Sequence, residues 1–333
     1  MHSMTASLSS STSSSTLPTL DEIKQAQELV YSVMQATPQI CWPLLCERLG
    51  TEVWVKHENH TPIGAFKART AVVYAAEVFR QSNSIKGLIA ATRGNHGQSV
   101  ALAARRFGVP ARIVVPFGNS TEKNAAMRAQ GAELIEFGSD FQESKEHAIK
   151  LAEEQGWHFV PSYHRDIVKG VATYWMEFFS AVPDLDIVYV PIGQGSGICS
   201  CAAVRNGMNL KTKIVGVVAD GAPAYALSFE AGRSVPAPVT TLLADGMACR
   251  VPDEESLEVV LKNVDRVGRV SEEEIRDSMK MYFTDTHNVV EGAGAAGLAA
   301  ALKEKPQLKG KRVGLVASGG NVDHDVFARV LAD

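Results

Sequence analysis

The feature that most constrains this chain is an alternation. Short β-branched runs, GLIAAT (87–92), ARIVVPF (111–117), AELIEF (132–137), DIVYVPI (186–192), KIVGVVAD (213–220) and RVGLVAS (312–318), are separated by stretches of helical period. Each run is too apolar to have one wet face, which is the pattern of strands covered by helices on both sides. Strands and helices alternating in this way build mainly parallel sheets, so the chain reads as α/β. The helical stretches are HGQSVALAARRFG, STEKNAAMRAQG, FQESKEHAIKLAEEQG, DIVKGVATYWMEFFSAV, SEEEIRDSMKMYFTDT and GAAGLAAALKE. Several start after Ser, Asn or Asp and two end at Gly, as capping requires.

With 333 residues, 45% of them hydrophobic, the chain has material for one large domain or two medium ones. The runs from 87 to 137 and their helices make a compact group that ends near residue 165. The expected organisation is therefore a disordered tail over 1–20, a small mobile domain over 87–165, and a large domain built from 21–86 and 166–333. The tail is Ser/Thr-rich and has no apolar segment of signal-peptide length. No run of eighteen apolar residues occurs, which excludes a helical membrane span. A formal charge of -4 without any Lys/Arg block excludes a nucleic-acid surface. Five cysteines without zinc-like spacing read as thiols in a reducing compartment, and the cytoplasm is the expected location.

Ligands of open parallel sheets bind beyond the carboxyl ends of the strands. Three such ends are rich in glycine here: Thr92-Arg93-Gly94-Asn95-His96, Gly193-Gln194-Gly195-Ser196-Gly197, and Ser318-Gly319-Gly320-Asn321. Glycine lets the backbone approach a ligand, and a following helix aims free N–H groups and a partial positive charge at it. The alternating loop at 193–197 has the form of a phosphate cradle. GAGAAG (292–297) matches the dinucleotide fingerprint, which keeps a nicotinamide-dependent oxidoreductase as the alternative from another class. The stretch before it reads as helix rather than strand, so its small residues are assigned mainly to close helix packing.

ENHTPIGAFKART (58–70) lies between a strand-like stretch and a helix-like one, and places Lys67 beside Ile63, Ala65 and Phe66. Apolar neighbours lower a lysine's pKa, and a phosphate cradle with an unprotonated amine is what pyridoxal phosphate needs. KHENHTPIGAFKARTA, TRGNHGQS, GQGSG and SGGN, in this order over residues 37 to 325, resemble the signature segments of the fold type II pyridoxal phosphate enzymes. The threonine/serine dehydratase and serine racemase group is the nearest match within them. The resemblance implies a tryptophan synthase β-like architecture of two domains, each with a mainly parallel sheet flanked by helices.

It also implies roles. Lys67 matches the Schiff-base lysine that moves the α-proton, Phe66 the residue packed on the ring, and Asn95 the partner of the phenolic oxygen. Gly193 to Gly197 match the phosphate loop, with Gln194 and Ser196 standing where relatives more often have glycine. Ser318 matches the residue facing the pyridine nitrogen, where a neutral serine favours elimination. Thr92, Gly94, Asn95 and His96 match the loop that holds the substrate carboxylate. Racemase-like members have serine where this chain has Arg93, and a guanidinium stays protonated and cannot be the second base. Arg93 is thus expected either at the catalytic face, pairing with a second substrate carboxylate, or turned to solvent or an acidic partner. Racemase-like members also bind a divalent cation; Asp220 retains one acid, the second position is Ala226 and Asp245 is a third contributor, so the metal is left open.

The activity implied is a pyridoxal phosphate-dependent ammonia-lyase. Its substrate is a β-hydroxy-α-amino acid, with serine, threonine, 3-hydroxyaspartate and phenylserine all open, and its products are a 2-oxo acid and ammonia. Racemisation or β-replacement on the same fold is the alternative, and a homodimer is the assembly common among such enzymes.

Overall fold

A computed structural model describes residues 17–82 and 84–332. Residues 1–16 of the expected tail lie outside that range. Leu17 and Leu20 pack against the main core, and Thr19 caps the first helix through a reciprocal bond with Glu22. Order therefore begins before residue 20.

Among the described residues the chain runs α1 (Leu20–Tyr31), β1 (Gln39–Cys41), α2 (Pro43–Leu49), β2 (Glu52–His57), α3 (Thr70–Gln81), β3 (Leu88–Ala91), α4 (Asn95–Phe107), β4 (Ala111–Val115), α5 (Thr121–Ala129), β5 (Ala132–Glu136), α6 (Phe141–Gln155) and β6 (His158–Phe159). It continues with α7 (Arg165–Ala181), β7 (Ile187–Pro191), α8 (Ser196–Gly207), β8 (Lys213–Ala219), α9 (Ala224–Ala231), α10 (Glu254–Asn263), β9 (Arg266–Val270), α11 (Glu272–Thr286), α12 (Gly292–Lys303), β10 (Arg312–Ala317) and α13 (His324–Ala332).

Two sheets result. One has six strands in the order β1-β2-β10-β7-β8-β9, parallel except for β1 against β2. The other has four parallel strands in the order β5-β4-β3-β6. All the apolar runs form strands; β5 is an edge, where Glu133 and Glu136 are exposed on opposite faces while Leu134 and Ile135 pack against the cores on the two sides. β9 is the opposite case. Arg266 and Arg269 interrupt its apolar pattern, and it forms an edge strand by pairing with β8 over residues 266–270.

α3 leads from the six-stranded sheet to the four-stranded one, and α7 leads back. The apolar positions of α7 recur at helical spacing, so Ile167, Val168, Val171, Ala172, Trp175, Phe178 and Phe179 are all buried. Trp175 stacks on Phe179 with ring centroids 5.3 Å apart. Burying each such side chain contributes roughly 1.5–3 kcal/mol, so α7 anchors the region where the sheets meet. Trp175 Nε1 also donates to the Gly197 carbonyl at 3.0 Å, tying this core to the glycine loop.

α12 holds the GAGAAG residues. A Cβ on Gly292 would lie 2.2 Å from the Leu243 carbonyl oxygen, and one on Gly297 would lie 3.1 Å from that of Tyr189. The small residues let the helix lie close on the sheet. The element before α12 is a helix, α11, and the Leu243 backbone occupies the space at its start where a dinucleotide phosphate would sit.

Candidate active site

The ends of β3, β7 and β10 open into one cavity of about 1240 Å³, lined among others by Lys67, Asn95, Gly195, Ser196 and Ser318. This is ample for a cofactor together with an amino acid.

Lys67 sits on a 3₁₀ turn, Phe66–Arg69, whose start is fastened to the end of β10. Phe66 N donates to the Ser318 carbonyl and Gly320 N to the Gly64 carbonyl, both at 2.9 Å. Gly64 has φ +66°, and a Cβ there would lie 2.8 Å from Asn321 Oδ1, so glycine is needed for both reasons. Behind the turn, Arg69 is wholly buried between Glu58 (2.7 Å) and Glu177 (2.6 Å), and Lys56 completes the cluster on Glu177 (2.6 Å). These bonds hold the backbone that presents Lys67. The Lys67 amine lies 4.8 Å from the Phe66 ring centroid and 3.4 Å from Ser196 Oγ, and loss of hydration lowers its pKa to about 8.

The loop after β7 wraps the start of α8. Gly195 has φ +98°, a Cβ on it would lie 1.7 Å from Ser256 Oγ, and one on Gly193 would lie 2.3 Å from the Gly246 carbonyl oxygen. No side chain fits at either position, which leaves a backbone cradle at a helix N-terminus. Ser196 turns its hydroxyl to the cavity side, toward Lys67, while the Gln194 side chain engages Cys249.

After β3, Gly94 N donates to Thr92 Oγ1 at 3.0 Å, shaping the turn into α4. Asn95 is held on both sides: its Oδ1 accepts from Asn321 Nδ2 at 2.7 Å and its Nδ2 donates to Glu291 Oε1 at 2.9 Å. His96 is buried, bonded through Nε2 to the Val160 carbonyl at 3.2 Å, with Nδ1 unpartnered. Burial and the nearby Lys67 charge push its pKa down to about 4. Arg93 is exposed but lines the cavity, and among the described residues it has no ion-pair partner.

All the residues expected to hold cofactor or substrate thus line one cavity, as does Asp245, whereas Asp220 does not. Sequence reasoning missed Glu291 and Lys123. Glu291 occupies the N-cap position of α12, a place that favours Ser, Thr, Asp or Asn, and this misfit was the available signal. Lys123 pairs with Asp245; burial alone would lower its pKa, but Asp245, Glu291 and Asp323 outweigh that and raise it. Among the described residues no cluster of three or more His, Cys, Asp or Glu is arranged to hold a metal ion, and Asp245 is engaged by Lys123 instead.

A half-buried lysine of lowered pKa facing a glycine cradle at a helix N-terminus defines a protein that fixes a phosphorylated aldehyde cofactor, and the residues fit pyridoxal phosphate. The family model for pyridoxal-phosphate dependent enzymes matches residues 31–319, and the chain belongs to that family. It is 36% identical over 314 residues to an L-threonine ammonia-lyase of Thermotoga maritima, covering 94% of this chain and 78% of that protein. It is 32% identical over 317 residues to an L-threo-3-hydroxyaspartate ammonia-lyase of Saccharomyces cerevisiae, covering 95% and 97%. The solved structure of maize serine racemase superposes with a TM-score of 0.86 at 28% identity, covering 94% of this chain and 97% of that one. The fold is that of the fold type II pyridoxal phosphate enzymes.

Proposed function

We propose that this chain is a pyridoxal phosphate-dependent ammonia-lyase that converts a β-hydroxy-α-amino acid to a 2-oxo acid and ammonia. The observation that carries the reading is the Lys67 amine, depressed to about 8 and facing the Gly193–Gly197 cradle across 3.4 Å to Ser196. When bound, the cofactor supplies an aldehyde for the substrate amine and a ring that accepts electrons from Cα. The chain supplies the rest. Lys67 carries the cofactor and takes the α-proton, with a pKa near working pH as a general base requires. The start of α8 and its glycines hold the phosphate. Phe66 packs on the ring, and Asn95, locked in one amide orientation by Asn321, offers Nδ2 to the phenolic oxygen. Thr92, Gly94 and His96 hold the substrate carboxylate with the first N–H groups of α4. Ser318 leaves the ring nitrogen without a carboxylate partner, which favours elimination over transamination.

Both ammonia-lyase relatives act, by their names, on β-hydroxy amino acids, which supports this class of substrate. The likeness to serine racemase raises racemisation as the competitor. Arg93, where racemase-like enzymes carry serine, argues against it. The residue group 87–165 around the four-stranded sheet is read as a small domain that closes on substrate. Five free thiols support a reducing, cytoplasmic setting, and a homodimer is the expected assembly, to be read by light scattering.

A panel of serine, threonine, 3-hydroxyaspartate and phenylserine, assayed for ammonia and oxo acid, tests the reading. Release from at least one is expected. Racemisation of serine without ammonia release would overturn it.

A further inference from the structure

Expelling a β-hydroxyl requires a proton, since hydroxide is a poor leaving group. In a concerted elimination Lys67 is the base, so the proton for the leaving group comes from another residue. Of the other titratable groups on the cavity wall, His96 is deprotonated at neutral pH, Lys123 is paired with Asp245, the Arg93 and Arg250 guanidiniums do not release a proton, and burial holds the Tyr174 phenol well above its ordinary pKa, which makes it a weak acid.

Glu291 is different. Glu291 is among the residues that line the same cavity as Lys67, and only one of its carboxyl oxygens has a partner. Oε1 accepts from Asn95 Nδ2 at 2.9 Å; Oε2 is buried and has no partner. Gly319 makes the placement possible, because a Cβ there would lie 2.4 Å from Oε1. A buried, unpartnered carboxylate oxygen is costly, whereas a neutral carboxyl with its proton on Oε2 is a donor awaiting an acceptor.

We propose that Glu291 enters the reaction as a neutral acid and gives its Oε2 proton to the departing β-hydroxyl of the substrate. The inference rests on the ammonia-lyase reading above. The electron pair left at Cα when Lys67 takes the α-proton becomes the Cα–Cβ double bond. The Cβ–O bond breaks with its pair going to oxygen, which takes the Glu291 proton and leaves as water. Glu291 is then a carboxylate and Lys67 an ammonium, and transfer of a proton from one to the other through solvent restores both.

The charged groups facing Glu291 are Lys123 from α5 and Asp245 from the turn at 245–247, with the Asn95 amide from α4. Lys123 and Asp245 oppose each other's effect, so burial dominates and pushes the Glu291 carboxyl up to about 7.

The test uses the holoenzyme and two leaving groups. Chloride needs no proton, so β-chloroalanine bypasses the acid. In Glu291→Gln, which keeps an oxygen for Asn95, kcat on the β-hydroxy substrate should fall roughly 10²–10⁴-fold, as loss of a general acid does. Elimination from β-chloroalanine should fall by no more than about threefold on the same scale. In the unmutated enzyme, kcat on the hydroxy substrate should decline as pH rises through about 7, while kcat on β-chloroalanine should not. Independently of turnover, infrared difference spectra of unmutated minus Glu291→Gln protein should show a protonated-carboxyl band that fades over the same pH range. Equal losses on both substrates, or the absence of that band at pH 6, would overturn the proposal. If the unmutated enzyme releases ammonia from β-chloroalanine but from no β-hydroxy amino acid, the broader reading fails instead.

Discussion

Lys67 Nζ and Ser196 Oγ face each other at 3.4 Å, and burial, with no carboxylate opposing it, sets the pKa of the lysine. The lysine therefore gives up its proton more readily than a free one, which suits its proposed role of attacking an aldehyde and accepting a proton. The same arrangement has a cost in the cofactor-free protein. Between pH 8 and 10.5 the unfolded chain binds the proton that folded Lys67 has lost, so stability rises with pH across that window and is lowest below it. The full difference is roughly 3 kcal/mol.

Lys67→Met should thus raise the stability of the cofactor-free protein at pH 7 by up to about 3 kcal/mol and flatten its dependence between pH 8 and 10.5. It should also abolish the visible absorbance of the bound cofactor and reduce turnover by at least roughly 10²–10⁴-fold. Denaturant melts at several pH values check the first part. A borohydride-fixed cofactor on another lysine would refute the second.

Gly195→Ala tests the cradle. The substitution demands φ near +98° from a residue with a Cβ, and it drives that Cβ into Ser256 Oγ. The two effects together should cost about 2–4 kcal/mol, with cofactor affinity falling as the loop shifts. Gly310→Ala is the control: its φ is also positive, but a Cβ there meets nothing within 4 Å. It should show only the backbone share of the loss, with cofactor affinity unchanged.

The cluster beneath Lys67 joins four buried charged side chains, Lys56, Glu58, Arg69 and Glu177. Arg69→Leu leaves Glu58 and Glu177 facing each other without the guanidinium, and should cost roughly 3–5 kcal/mol. Burial alone would raise the Glu177 pKa, but Arg69 and Lys56 together hold it below the usual carboxylate value. Its contribution is therefore present above the unfolded pKa near 4.5 and is lost as pH falls below that value. Thermal melts from pH 7 to 3 should show this loss in the unmutated protein and a weaker one in Arg69→Leu.

The sheets and the cavity were legible because parallel strands must be apolar and because glycine at a strand end has few other uses. The residues after β3, β7 and β10 and Lys67 could be named from local spacing alone. Glu291 and Lys123 could not. Apart from the odd N-cap at Glu291, neither carries a local signal of its role, and each gains meaning only when α12 and α5 are brought to the wall of one cavity. The same holds for Arg69, Glu58 and Glu177, which are widely separated in the chain and look like ordinary surface charges until folding buries them together. β9 was missed for a related reason, since an edge strand can carry arginines that find partners in Glu304 and Glu230.

Arg93 is the residue on which the proposed choice of elimination over racemisation rests. Its side chain stands at the cavity mouth, exposed and without an ion-pair partner among the described residues, so nothing in the fold neutralises it. A guanidinium cannot shuttle a proton at Cα, and elimination without racemisation is expected: one enantiomer of serine should yield pyruvate and ammonia with no build-up of the other. Arg93→Ser restores a hydroxyl at that position and should introduce measurable racemisation, read by chiral chromatography. The unpaired charge also bears on substrate choice. If it meets a second carboxylate, the charge-assisted hydrogen bonds should make Arg93→Ala lower kcat/KM for 3-hydroxyaspartate by roughly 10–100-fold while leaving threonine within about threefold. An equal effect on both substrates would show that Arg93 stays in solvent, and that the dicarboxylate has no dedicated partner at this end of the cavity.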